Sequence, residues 1–195
     1  SYSLVNDGVL RARMHLLYSA EKEKETENTL WTQKLDTAAI ATPALFKNYR
    51  TGENEIVIQD LGHTMYLLSA KGEILWKKSL NEEILSPVYQ VDALKNGKLQ
   101  MLFNTRSAIH LVDRLGNYVE GFPVKLKASA TCALSLFDYE KNRDYRILIP
   151  CSDKLIYNFD IRGKEPATFI KPATAAEVCI PLQYAGIGNK DYLVA

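Results

Sequence analysis

The densest run of oxygen-bearing side chains is Asp138-Tyr139-Glu140-Lys141-Asn142-Arg143-Asp144. Carboxylate or amide oxygens at alternate positions form a spacing that can wrap a hard cation such as calcium. Two residues break the pattern. Arg143 stands where a sharp-turn glycine belongs, and Arg146 where a closing carboxylate would sit. A related stretch from Asp92 has Gly97 but carries Leu94 in place of an acid. Both stretches therefore read as solvated hairpin loops. The histidines, His15, His63 and His110, are scattered, and their spacing suggests no zinc set. Cys132, Cys151 and Cys179 are odd in number and widely spaced. That is neither a disulfide framework nor a metal knuckle, and they read as small buried hydrophobes in strands. No nucleophile elbow, phosphate-binding loop or zinc-protease motif is present. The sequence thus assigns no catalytic residue, no metal ligand and no cofactor.

The elements that position these residues repeat along the chain. Met65–Gly72, Ile109–Gly116 and Ile156–Gly163 each read as an alternating strand, a polar residue, two variable residues and a glycine. The glycines are spaced by 44 and 47 residues. Asp92–Phe103 lines up with Asp138–Ile149, Asn142–Tyr145 recurs as Asn189–Tyr192, and Cys132 recurs as Cys179. Pro43 and Pro87 open equivalent strands. A period in the mid-forties fits four short strands joined by tight turns.

One unit predicts strand one over 87–91, a polar loop over 92–98 and strand two over 99–104. A short turn, strand three over 108–112 and strand four over 117–119 complete it. Glycine supplies the positive φ of the turn before strand four. Asp113 or Asp160 can accept from the backbone two residues on, with Ser69 as a weaker substitute. Residues 14–19 and 29–35 resemble strands three and four of a unit, and 173–195 supplies strands one and two. The charged stretch 20–27 lacks apolar spacing and reads as a long solvated loop. The expected layout is a half blade (1–36), three blades (37–81, 82–127, 128–172) and a half blade (173–195).

Bulk properties agree with a folded domain. The 195 residues are 47% hydrophobic and 24% charged, ordinary for a globular protein. A net charge of +1 shows no footprint for nucleic acid or an anionic membrane surface. No apolar run is long enough for a membrane-spanning helix. The start at Ser1 and the stop within the apolar run at Val194-Ala195 read as a piece of a longer chain.

Gly72-Glu-Ile-Leu-Trp76 has the Gly-x-x-x-Trp ending of pyrroloquinoline-quinone-like β-propeller repeats, and Thr29-Leu-Trp31 looks like a second copy without its glycine. Gly121-Phe-Pro123 resembles the ending of blades in exported bacterial propellers. The resemblance implies an all-β propeller of four-stranded antiparallel blades, about four blade equivalents, forming one domain or part of a larger ring. It implies packing roles for Gly72, Trp76, Gly116, Gly163 and Trp31, the tryptophans docking one blade on the next. It also implies a periplasmic or surface-attached bacterial protein. No adjacent-cysteine pair supports a bound quinone.

The tyrosines divide into two groups. Tyr66, Tyr118 and Tyr157 fall in strands. Tyr49, Tyr89, Tyr139, Tyr145 and Tyr192 lie near the loop between strands one and two, where Arg50, Arg143 and Arg146 also gather. The expected binding face is Tyr49, Arg50, Tyr89, Tyr139, Arg143 and Tyr145, suited to a protein or glycan partner. The plainer reading is packing tyrosines with wet hydroxyls. The functional expectation is a non-enzymatic binding scaffold, with further blades of a parent chain or a second copy as neighbours. Its alternative is part of a quinoprotein-like or hydrolase propeller enzyme whose catalytic residues lie outside this chain.

Overall fold

The computed structural model of the chain describes residues 2–6, 10–14, 29–40, 42–187 and 190–194. The sequence expectation over 20–27 lies outside them, as does that over 14–19 beyond Met14. Among the described residues there is no helix, so none is long and apolar enough to cross a membrane. The chain divides into two compact units, Ser1–Leu45 with Glu53–Asn81, and Phe46–Gly52 with Glu82–Ala195.

In the first unit β1 (Tyr2–Asn6) and β2 (Leu10–Met14) form an antiparallel hairpin. The next four strands are β3 (Ala44–Lys47), β4 (Asn54–Gln59), β5 (Thr64–Leu68) and β6 (Ile74–Ser79), in a sheet of that order. The two middle strands, Asn-Glu-Ile-Val-Ile-Gln and Thr-Met-Tyr-Leu-Leu, are buried almost throughout. β6 instead alternates between half-buried and exposed residues. A strand shielded on both faces reads as a continuous apolar run, whereas a rim strand alternates. Ile56, Ile58, Tyr66 and Leu68 form this unit's core with Leu35, and Trp31 and Ile74 pack against it.

The second unit repeats the plan. β7 (Tyr89–Val91), β8 (Gln100–Asn104), β9 (Ala108–Asp113) and β10 (Val124–Lys125) form a four-stranded antiparallel sheet. β11 (Ser135–Phe137), β12 (Arg146–Pro150) and β13 (Ile156–Asp160) form a three-stranded one, and β14 (Gln183–Ile187) pairs with β15 (Lys190–Val194). The period-two alternation of β12 shows how the sheets stack. Ile147 and Ile149 join Leu102, Ile109 and Leu111 in the core against the preceding sheet. Leu148, on the opposite face, packs with Ile156 and Leu182.

Four sequence expectations need correction. Strand four was expected over 117–119, but Tyr118 makes only an isolated bridge to Val112, and the outer strand is Val124–Lys125. An unbroken register would put residue 121 opposite Ile109; Val124 stands there, so three residues are looped out. Gly121 at φ 88° and Pro123, which has no N–H for the ladder, account for the excursion. The third sheet lacks a fourth strand. Leu155 merely bridges Ala173, and Ile156 donates to the Pro172 carbonyl. Residues 29–35, expected as strand four of a unit, form no strand. Of the cysteines only Cys151 is buried; Cys132 is half-buried and Cys179 exposed.

Candidate functional site

The loops between strands one and two share one construction. Asn48 Oδ1 accepts from the amides of Arg50 (2.9 Å) and Thr51 (3.4 Å). Asp92 accepts from Asn96 and Gly97, at 2.9 Å each. Asp138 accepts from Asn142 and Arg143 at 3.1–3.2 Å. Short side-chain oxygens favour this local bonding over strand pairing. The Asp138 oxygens are therefore occupied by the loop's own amides, and Asn142 spends its Oδ1 on the Asp144 amide. The turns after strand three are alike in turn. Asp113 Oδ1 holds the amides of Leu115 and Asn117, and Asp160 Oδ1 those of Arg162 and Lys164. Ser69 Oγ does the same, at greater length, for Lys71 and Glu73.

In the second unit these loops and turns surround a cleft of about 860 Å³. Ala93, Leu94 and Lys95 line it from one loop, and Asp144, Tyr145 and Arg146 from the next. Residues 119–121 and 160–164 supply the turns. Two ion pairs tie the loops together: Lys95 Nζ lies 2.6 Å from Asp144, and Arg143 Nη1 lies 2.6 Å from Asp92. Lys95's hydrogen bond, with the charges of Arg146 and Arg162, holds the Asp144 carboxyl below its ordinary range. The turns meet closely as well. A Cβ on Gly121 would lie 2.9 Å from the Arg162 carbonyl oxygen.

The acids of the cleft are mostly committed. Asp144 serves Lys95, and Asp160 caps its own turn. Arg146, Arg162 and Lys164 make no ion pair or side-chain hydrogen bond among the described residues. The cleft thus mixes four cations, Lys95, Arg146, Arg162 and Lys164, with three acids, Glu120, Asp144 and Asp160, beside the apolar Leu94, Val119, Tyr145 and Ile161.

Of the expected binding face, only Tyr145 lines this cleft. Arg143 is engaged by Asp92. Tyr89 is half-buried against the core, its hydroxyl 3.4 Å from the Leu134 carbonyl, and burial pushes its pKa up. Tyr139 stacks on Phe137 (5.5 Å) and meets Tyr184 edge-on (5.1 Å). Tyr49 and Arg50 sit on the loop capped by Asn48, Arg50 exposed. Arg162 and Lys164 were not singled out from sequence. The signal available was their position, since they alone among the three turns bracket the glycine with two cations.

Trp31 lies over Gly72, where an added Cβ would come 2.4 Å from the indole, and its Nε1 donates to the Ala70 carbonyl. Val124 lies over Gly163 in the same way, with Phe122 beside it. Trp76 pairs with Leu67 on the rim strand, and Gly116 turns the chain at φ 85°.

No protein-family model matches the chain, and no curated protein matches it. Solved structures do. A crystal structure of BBS1N in complex with ARL6DN, soaked with lead, matches at TM-score 0.53 and 13% identity, over 76% of this chain and 46% of that one. A mercury-soaked crystal of the same complex gives 0.56 and 12%, over 77% and 48%. The chain has a β-propeller fold. BamB from Moraxella catarrhalis is a weaker likeness, at TM-score 0.37 and 17% identity over 58% of this chain and 32% of that one. This propeller chain spans about half the length of the BBS1N chains. At such identities the likeness carries the fold alone.

Proposed function

We propose that this chain is a non-enzymatic protein-binding scaffold of the pyrroloquinoline-quinone-like repeat type, and that its partner docks at the loop-face cleft. The cleft carries the proposal: a concave site with apolar walls and charges of both signs is what a recognition surface needs. Trp31 seated on Gly72 supports the repeat assignment, because it is the inter-blade packing the Gly-x-x-x-Trp ending implies. BBS1N, the similar propeller, is crystallised with a protein partner. The same reading divides the chain at 1–36, 37–81, 82–127, 128–172 and 173–195, and places Tyr49, Arg50, Tyr139 and Tyr145 around the recognition face.

A random peptide library selected on the purified chain tests this. Recovered binders should protect the amides of residues 93–95, 144–146 and 160–164 from hydrogen exchange. Binders that protect only other regions, or a selection that enriches nothing, would overturn it.

A further inference from the structure

We propose that Cys132 and Cys179 form an oxidisable thiol pair, which closes to a disulfide on reaction with an external disulfide such as oxidised glutathione. The pair lies apart from the recognition cleft, since neither residue lines it. The two cysteines are 47 residues apart, at equivalent places in successive units. The segments that carry them run side by side with that same offset. Thr131 Oγ1 donates to the Val178 carbonyl at 2.5 Å, and Ser135 Oγ to the Leu182 carbonyl at 2.8 Å. The first contact holds its two Cα atoms no more than roughly 7 Å apart. Cys132 and Cys179 are the next residues on each segment, inside the two contacts. Bridged cysteines have Cα atoms about 4.4–6.8 Å apart, so the segments need little adjustment to be joined. The chain also bends at Cys132, which frees its side chain from the alternation of β11. Once closed, the bridge fastens the chain leading into β14 to the third sheet.

Exposure sets the order of events. Cys179 is exposed, Cys132 half-buried and Cys151 buried. The Cys179 thiolate attacks one sulfur of the external disulfide; that S–S bond breaks and one glutathione thiolate leaves. Cys132 then gives its proton to solvent, and its thiolate attacks Cys179 Sγ, expelling the second glutathione. Two protein thiols are oxidised, and one external disulfide is reduced to two thiols. Burial pushes the Cys132 thiol up by more than a hydrogen bond with Thr131 lowers it, and the charge of Cys179 adds to the rise. That last effect requires the two sulfurs to be near each other. Closure is therefore the slower step at neutral pH, and it quickens as pH rises. Burial, with Asp153 and Cys132 beside it, pushes the Cys151 thiol up to about 12, which keeps it protonated and out of the exchange.

The test incubates the whole chain with oxidised and reduced glutathione, caps the remaining thiols with iodoacetamide and digests with trypsin without reduction. Each cysteine falls on its own tryptic peptide, 128–141, 147–154 or 165–190. The folded chain should yield 128–141 linked to 165–190, preceded in time by glutathione on 165–190 alone. The same chain unfolded in urea should scatter its links over all three pairings. Cys132→Ser should stop at glutathione on Cys179, and reduced glutathione in excess should reopen the wild-type link. A link through 147–154, links only between chains, glutathione left on Cys179 of the wild type without closure, or the same scatter from folded and unfolded chain would each overturn the inference.

Discussion

Tyr66, His110 and Tyr157 are equivalent in the repeat, and each buries a polar head that needs a partner. The turn before strand three supplies it. Tyr66 donates to Asp60 at 2.7 Å, His110 Nε2 lies 3.2 Å from Thr105 Oγ1, and Tyr157 donates to Asp153 at 2.6 Å. Asp60 is 1% exposed. Burial raises its carboxyl pKa, but hydrogen bonds from Tyr66, Thr64 and Thr37 outweigh this and leave it below the ordinary value. A depressed folded pKa gives stability that is present above the unfolded pKa and is lost as pH falls through the folded one. Urea unfolding as a function of pH should therefore show stability falling below about pH 4, and Asp60→Asn should flatten that fall while lowering stability at pH 7 by about 1–3 kcal/mol. A steep acid loss unchanged in the variant would show that other carboxylates carry it. The glycines offer a matched comparison. Gly72 and Gly52 both have positive φ, but only Gly72 faces a neighbour, the Trp31 ring. Gly52→Ala should cost about 1 kcal/mol for the backbone conformation alone, and Gly72→Ala about 2–4 kcal/mol once overpacking is added. Equal denaturation midpoints for the two variants would deny the Trp31 contact its weight.

At the scale of elements, the loops between strands one and two were legible as polar hairpin loops, and their internal capping follows from Asn or Asp at the first position. Their cross-linking did not follow. Arg143 reaches Asp92 across 51 residues of sequence, and Lys95 reaches Asp144 across 49. Asp92 has two roles, capping its own loop and holding Arg143, whereas Arg143 is half exposed. Asp92→Ala should therefore destabilise by about 2 kcal/mol through the lost charged hydrogen bonds, and Arg143→Ala by no more than about 1 kcal/mol. A double-mutant cycle by chemical denaturation separates the two roles; a coupling energy as large as the whole Asp92 effect would make the ion pair, not the cap, its main function. The outer strands were the least legible elements. The glycine of each turn marks where strand three ends, but where the next strand pairs in the second sheet depends on Gly121 and Pro123, which interrupt the ladder.

Across the molecule, burial is uneven. Strands β8, β9 and β12 are buried at nearly every position. In β14 and β15, Tyr184, Ile187, Tyr192, Leu193 and Val194 are 43%, 66%, 44%, 39% and 50% exposed. A two-stranded hairpin with little covered surface is marginal by itself, and local stability follows buried contact. Native-state hydrogen exchange should find the amides of β14 and β15 exchanging orders of magnitude faster than those of β8, β9 and β12. Uniform protection across all five strands would mean that the hairpin is covered in solution.

The all-β class, the repeat and its turns were legible in the residues alone. These depend on local chemistry: alternation sets strands, and a small oxygen-bearing residue followed by glycine sets turns. Strand three was expected to alternate, and it is instead buried at nearly every position, because sheets cover both of its faces. Which charges are already paired is settled by folding alone. Arg143 belonged to the expected binding face until Asp92, far away in sequence, proved to hold it. Arg162 and Lys164 gained importance only when the turn that carries them was set beside Arg146 and Asp144. A side chain's type says what it can bind; whether it is already bound depends on neighbours that the chain brings together only by folding.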